Sequence, residues 1–291
     1  MRKIIGVITA RMSSTRLPGK VMLNICGKSV FALHVERMKC VSGLSDIYLA
    51  TSKDEINEPL IEESKKLKVK YYRGYEEDIV ERHVSILDKE GADAVIRVAC
   101  DMPFFNISTL SEFVGIFKKE YYDYLYVSNM TMIQGTVGEL ISREALEKIH
   151  GNYRGPAVTQ PIREKMEEYK TLGINIPQEL CRPEYRLTLD YPEDFKVFSF
   201  IYEKLYKDEP ISLYEVYKLL DDNPHIAQIN KDVKVKGVNI YGSAIMEMPE
   251  YSIVKSGFKY VILNKNKSSV APEEFLKELK VMFPHLNKFN L

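Results

Sequence analysis

Cysteine is scarce in this chain and carries no pattern. The four cysteines (Cys26, Cys40, Cys100 and Cys181) lie far apart and form no CxxC pair. That spacing excludes a zinc ribbon and a disulfide framework, and it favours a reducing, cytoplasmic setting. A net charge is missing too, since 41 Lys and Arg residues offset 41 Asp and Glu residues. A chain without net charge has no whole-molecule attraction for nucleic acid or anionic lipid, so neither is expected as a partner. Long apolar runs are also absent. The opening stretch Ile4–Ala10 stops at Arg11, short of a signal-peptide core, and nothing approaches the roughly 20 apolar residues of a membrane span. What remains is ordinary for a globular protein: 291 residues, 45% hydrophobic and 28% charged.

The first two-thirds alternate between short β-rich runs and helical patterns. Strands are expected at Ile4–Ala10, Asp46–Thr51, Val69–Arg73 and Ala94–Ala99. Helices are expected near Ser29–Val41, Asp54–Leu67 and Asp78–Lys89, with Ser29 placed to cap the first. The runs at Ile4 and Ala94 are nearly all apolar, as parallel strands covered on both faces require. The expected fold class is therefore α/β, a doubly wound and mostly parallel sheet whose ligands lie beyond the carboxyl ends of the strands. Further along, helices are expected to about Glu120, from Ser142, over Val158–Tyr169, Glu193–Leu205 and Ser212–Leu220. Strands are expected at Tyr124–Ser128, Thr171–Ile176 and Arg186–Asp190. Past about Lys231 the texture changes. Tyr251–Lys255 and Phe258–Leu263 alternate as a hairpin would, and Pro272 opens a helix to about Met282. The expected organisation is a main domain over 1–230 and a small α+β extension over 231–291.

The chemistry gathers in one loop. After the first strand comes Ala10-Arg11-Met12-Ser13-Ser14-Thr15-Arg16-Leu17-Pro18-Gly19-Lys20. Loop N–H groups, hydroxyls and three cations at the rim of a parallel sheet suit a polyphosphate. It is not a P-loop, because Ser14 and Val21 stand where that motif needs glycine and Ser or Thr, and no GxGxxG is present. Asp101 and Asp190 each follow an apolar run and so are expected to meet at one rim. Two such carboxylates, with substrate oxygens, suit magnesium. An aspartate there, followed by Pro103 or Pro192, also suits a helix cap or turn.

Ala10–Lys20 resembles the signature of the sugar cytidylyltransferases, the family of the CMP-KDO and CMP-sialate synthetases, in its SpsF-type variant. Arg73-Gly74 with Glu77-Asp78, Arg97–Pro103, Tyr126–Asn129, Val158-Thr159 and Leu187–Asp194 follow in that family's order. The resemblance implies a nucleotide-diphospho-sugar transferase-like α/β/α sandwich that transfers CMP from CTP to a sugar-acid or phosphorylated acceptor. It implies Arg11 and Lys20 on the triphosphate, and Ala10, Ser13, Ser14 and Arg16 lining the same loop. Arg73 would reach the nucleotide, and Asp101 and Asp190 would be the magnesium carboxylates. It further implies a homodimer. Two alternatives stay open: a sugar-1-phosphate nucleotidyltransferase using another base, and a non-catalytic nucleotide-binding protein. Some family positions depart: Thr9 replaces glutamine, Cys100 replaces glycine, Pro156-Ala157 replaces a polar or basic residue, and Gln134–Gly138, in the region that faces the acceptor in the family, lacks the family's aspartates. His34 and His83 fall on helical patterns and read as structural, as Cys100 does.

Overall fold

The computed structural model describes residues 2–128, 135–153 and 158–233, and the backbone of strands at 244–247, 251–256 and 259–264. The chain falls into two compact units, Met1–Val158 with Lys170–Val233, and Thr159–Tyr169 with Lys234–Leu291. Asn129, Gln134, Pro156-Ala157 and the helix expected from Pro272 lie outside the described residues.

In the first unit, strand and helix alternate as the apolar patterning requires. Its elements begin with β1 (Ile4–Thr9), the short ribbon β2 (Asn24–Ile25) and β3 (Lys28–Ser29), α1 (Val30–Lys39), β4 (Asp46–Ser52) and α2 (Glu58–Lys66). Next come β5 (Lys70–Gly74), α3 (Ile79–Glu90), β6 (Ala94–Ala99), α4 (Ile107–Lys119), β7 (Tyr124–Val127), β8 (Glu139–Ser142) and α5 (Arg143–Asn152). After α6 (Gln160–Glu164), which belongs to the second unit, follow β9 (Thr171–Ile174), α7 (Pro192–Leu205), α8 (Leu213–Asp222) and α9 (Pro224–Ala227).

The strands form one sheet in the order β5-β4-β1-β6-β8-β7-β9, with β8 antiparallel to both neighbours and every other pair parallel. Ile4 and Ile8 of β1 share a core with Phe31 of α1, Phe113 of α4 and Phe198 of α7. The alternate residues Ile5 and Val7 are equally buried, and α3 packs on β4, β5 and β6 as well as on α5. Both sheet faces are thus covered, which makes the three-layer sandwich. Polar side chains start the helices: Ser29, Asp78, Asn106 and Ser142 each accept an N–H bond from the first turn of α1, α3, α4 and α5.

Beyond the short β2–β3 ribbon and α9, which the sequence reading did not name, three elements differ from it. Arg186–Asp190 pairs with no strand among the described residues. The Leu189 N–H donates to the Asp101 carbonyl at 2.8 Å, and the Arg186 carbonyl accepts from Asn230 at 3.0 Å. Leu187 and Leu189 are buried, so the apolar alternation is real although the ladder is not. The helix expected over Val158–Tyr169 is reduced to α6 and a 3-10 turn at Met166–Glu168. β8 is a strand of four residues that runs straight into the cap of α5, too short to show its own period.

In the second unit, β10 (Ala244–Glu247), β11 (Tyr251–Ser256) and β12 (Lys259–Asn264) make an antiparallel sheet, with Val254 opposite Val261. The expected hairpin is β11–β12. Among the described residues no helix is long and apolar enough to cross a membrane.

Candidate active site

β1 ends in the middle of the parallel half of the sheet, and the loop expected to bind phosphate begins there. Ala10 continues the strand, donating its N–H to Ala50 at 3.2 Å, and is buried. The loop then folds back on itself. The Met12 carbonyl accepts from Ser14 N–H (2.9 Å) and Gly19 N–H (3.3 Å), and Met12 N–H donates to the buried Asn57 side chain at 2.8 Å. Gly19 has φ +63°, a left-handed turn that glycine adopts without a steric penalty. Ser14 spends its hydroxyl inside the loop, accepting from Leu17 N–H at 3.4 Å. The turn delivers Lys20 back to the strand ends.

Lys20 lies between the two aspartates. Its Nζ donates to Asp190 Oδ1 at 2.8 Å, to the Leu189 carbonyl at 3.0 Å and to Asp101 Oδ2 at 3.3 Å. An ammonium has three N–H donors, and here each has an acceptor. The lysine side chain is only 11% exposed, with Asp190 at 9% and Asp101 at 28%. Burial works against the Lys20 charge, but Asp101 and Asp190 outweigh it, and the net effect raises its pKa. Arg16 reaches the same Asp190 oxygen at 3.0 Å, its guanidinium over the Tyr191 ring.

Asp101 stands two residues beyond β6, after Cys100, whose N–H donates to the Thr9 carbonyl at 2.9 Å. Asp190 is fixed from behind by Asp194. One Asp194 oxygen accepts from the backbone N–H groups of Asp190 and Tyr191, both at 2.9 Å. Arg186 grips the Asp194 carboxylate with two bonds, at 2.8 and 3.0 Å.

The remaining expected residues stand apart from this cluster. Arg11 (53% exposed) and Ser13 both donate to Glu76 Oε1, at 2.7 and 2.8 Å. Arg73 pairs with Glu58 at 2.9 Å and donates to the Lys53 and Asp54 carbonyls. The structure therefore joins Lys20, Arg16, Asp101 and Asp190, sets Arg11 and Ser13 on a neighbouring acid, and engages Arg73 with Glu58.

Sequence reasoning missed Glu76, Asn57 and the anchoring role of Asp194. Glu76 lies just before a helix whose cap is held by Asp78, and its side chain turns toward the loop. Asp194 had a legible signal, an acid three residues into a helix whose N1 is Pro192. Glu139, which opens β8, is held by Arg97 at 3.0 Å and by the Tyr124 hydroxyl at 2.6 Å. Gly135, with φ +102°, lies so close to Leu187 that a Cβ would stand 1.9 Å from its carbonyl oxygen.

Cys100 is buried, and burial with Asp101 beside it pushes the thiol far above its ordinary pKa, away from the thiolate form. Burial pushes His34 down to about 4 and His83 to about 3. Each Nδ1 sits within 2.8 Å of a carbonyl one turn back, so both rings are neutral packing elements.

Among the described residues no group of three or more His, Cys, Asp or Glu side chains converges. The donor set at Lys20 is two carboxylates and a carbonyl gathered around one cation. These are hard oxygens in the number magnesium takes from protein when phosphates complete its shell. The residues present fit that ion.

Comparison with known proteins places this geometry. The sequence profile of the cytidylyltransferases matches residues 5–228. An uncharacterized protein of Methanocaldococcus jannaschii is 31% identical over 238 residues, covering 80% of this chain and 97% of that protein. The spore coat polysaccharide biosynthesis protein SpsF of Bacillus subtilis is 28% identical over 237 residues, 78% of this chain and 98% of its own. The solved structure of a cytidylyltransferase from Leptospira borgpetersenii has the same fold, with TM-score 0.73 at 24% identity over 81% of this chain and all of that one. The matched span contains the loop, the sheet from Ile5 onward and both aspartates, and the chain belongs to the cytidylyltransferase family of nucleotidyltransferase enzymes.

Proposed function

We propose that the protein transfers CMP from CTP to a hydroxyl of a sugar acid, or of a related acidic or phosphorylated acceptor, in the synthesis of a surface polysaccharide or glycoconjugate. The observation that carries this reading is the meeting of Lys20, Arg16, Asp101 and Asp190 at the carboxyl ends of β1 and β6. The likeness to SpsF supports the polysaccharide assignment.

In this reaction the acceptor oxygen attacks the α-phosphorus and forms a new P–O bond. The bond to the β-phosphate bridging oxygen breaks, pyrophosphate leaves with the electron pair, and the acceptor proton passes to water. Negative charge grows on the α-phosphoryl oxygens and on the leaving group. Lys20 and Arg16 are the cations placed to offset it. Arg11 and Ser13 exchange Glu76 for phosphate oxygens, a charge-assisted contact for a surface ion pair. Asp101 and Asp190 would hold magnesium, which when bound adds Lewis-acid stabilisation of the same charge.

Incubation with each nucleoside triphosphate, magnesium and a panel of acidic sugars, read as pyrophosphate release, tests the reading. Release from CTP with an acidic sugar is expected. Release only from GTP or UTP overturns it.

We further place the protein in the cytoplasm, consistent with its four free cysteines. We assign it a homodimer in which residues 231–291 extend the shared surface. Strands of four to six residues in a three-stranded sheet rarely supply a self-sufficient core. Light scattering on the full chain and on a chain ending near Lys231 checks this, and a monomeric full chain refutes it.

A further inference from the structure

Lys20 occupies the gap in which a metal would sit. Its ammonium satisfies Asp101, Asp190 and the Leu189 carbonyl together, and Arg16 adds a second cation on the same Asp190 oxygen. The two carboxylates are therefore neutralised before any ligand arrives. A divalent cation between them would lie against a buried ammonium, and like charges repel strongly where water is excluded. Either the metal stays out or Lys20 moves.

We propose that Lys20 is the resident counter-ion of the metal site, holding it closed to metal in the free protein and releasing it when a triphosphate draws the ammonium away. This rests on the reading above that Asp101 and Asp190 are metal ligands. The stem of a lysine is four carbons long and flexible, and its ammonium is a point charge that changes partners readily. The loop that carries Lys20 also carries Arg11, Ser13 and Arg16, so an anion bound to the loop lies within the same reach. Arg16 is a poorer candidate for the mobile cation because its guanidinium rests on Tyr191. Metal and nucleotide binding then depend on one event, the departure of Lys20, and each must strengthen the other by the same factor. The free site is also kept from the repulsion of two adjacent unpaired carboxylates.

Manganese titration of the nucleotide-free protein, with the free ion followed by electron paramagnetic resonance, tests this directly. Lys20→Met is expected to bind Mn2+ about 10- to 150-fold more tightly than the natural protein, the worth of one charge-assisted contact. Asp190→Asn in the Lys20→Met background is expected to abolish that gain. Lys20→Gln removes the charge but keeps donors for both carboxylates, so it stands in where Lys20→Met fails to fold. A Lys20→Met chain that melts cooperatively only when Mn2+ is present supports the proposal equally. Equal Mn2+ affinity in the natural protein and in Lys20→Gln overturns the counter-ion role and leaves the metal assignment standing. A gain that survives Asp190→Asn overturns both.

Discussion

Asp194→Ala is the substitution whose consequences reach furthest from one side chain. Asp194 is fully buried and Arg186 nearly so, at 0% and 8% exposure. Truncation removes both bonds to the guanidinium, the cap on the backbone N–H groups of Asp190 and Tyr191, and the bond from Asn230 at 2.9 Å. Arg186 would keep Asp190 as an acidic neighbour, with Oδ2 at 3.8 Å. Breaking a buried ion pair by deleting one partner costs about 3–5 kcal/mol. At about 2–4 °C per kcal/mol for a domain of this size, melting should fall by roughly 6–20 °C. Asp194→Asn keeps the shape and one acceptor oxygen, so it should lose less, about 1.5–3 kcal/mol. Arg186, freed in the alanine variant, would turn to Asp190 and compete with Lys20 for it. CTP turnover should therefore fall further than the unfolded fraction explains. Thermal and urea denaturation with pyrophosphate release provide the assay. An alanine variant within about 1 kcal/mol of the natural protein would refute the reasoning.

Gly135→Ala places a methyl 1.9 Å from the Leu187 carbonyl in a backbone conformation that disfavours side chains; overpacking and strain together should cost about 2–6 kcal/mol in denaturation, and a loss under about 0.5 kcal/mol contradicts this. Asp101→Asn should melt within about 1 kcal/mol of the natural protein yet lose most CTP-dependent pyrophosphate release, and near-normal turnover removes Asp101 from the metal site. Arg11→Ala breaks only an exposed pair, so stability should shift by less than about 1 kcal/mol. Its CTP affinity by calorimetry should fall about 10- to 150-fold, and unchanged affinity takes Arg11 off the triphosphate. His34 and His83 are held neutral down to about 4 and about 3, so the unfolded chain protonates first, below its ordinary 6.5. Stability is then full above that value and falls as pH drops toward about 4, by up to about 1.4 kcal/mol per pH unit for each ring. Urea denaturation of His83→Gln over that range should show a shallower slope, and an unchanged slope refutes the burial argument.

What could be read from the sequence follows from how local each signal is. β1, β4 and β6 were legible because strands covered on both faces keep their apolar runs whatever lies around them. Lys20, Asp101 and Asp190 were legible as chemistry in a basic loop and after apolar runs, although 81 and 89 residues separate them along the chain. Their convergence needed the sheet order, in which β1 lies between β4 and β6. Arg186–Asp190 misled for the complementary reason. Leu187 and Leu189 alternate as in a strand, but their neighbour is the turn after β6, and a single bond to the Asp101 carbonyl replaces a ladder. That bond ties the segment carrying one aspartate to the backbone of the other. A segment pinned beside β6, rather than one more strand of the sheet, lets Asp190 approach Asp101 closely enough for one ammonium to touch both. Glu76 was illegible because nothing local distinguishes it from its neighbours Glu77 and Asp78. Only the fold sets it beside Arg11 and Ser13, a carboxylate where a phosphate is expected. In the free protein the proposed triphosphate site is thus balanced by its own side chains, Glu76 against Arg11 and Lys20 against Asp101 and Asp190. Binding must exchange those internal pairs for substrate, so much of the electrostatic attraction for CTP goes into specificity and order of binding rather than into affinity.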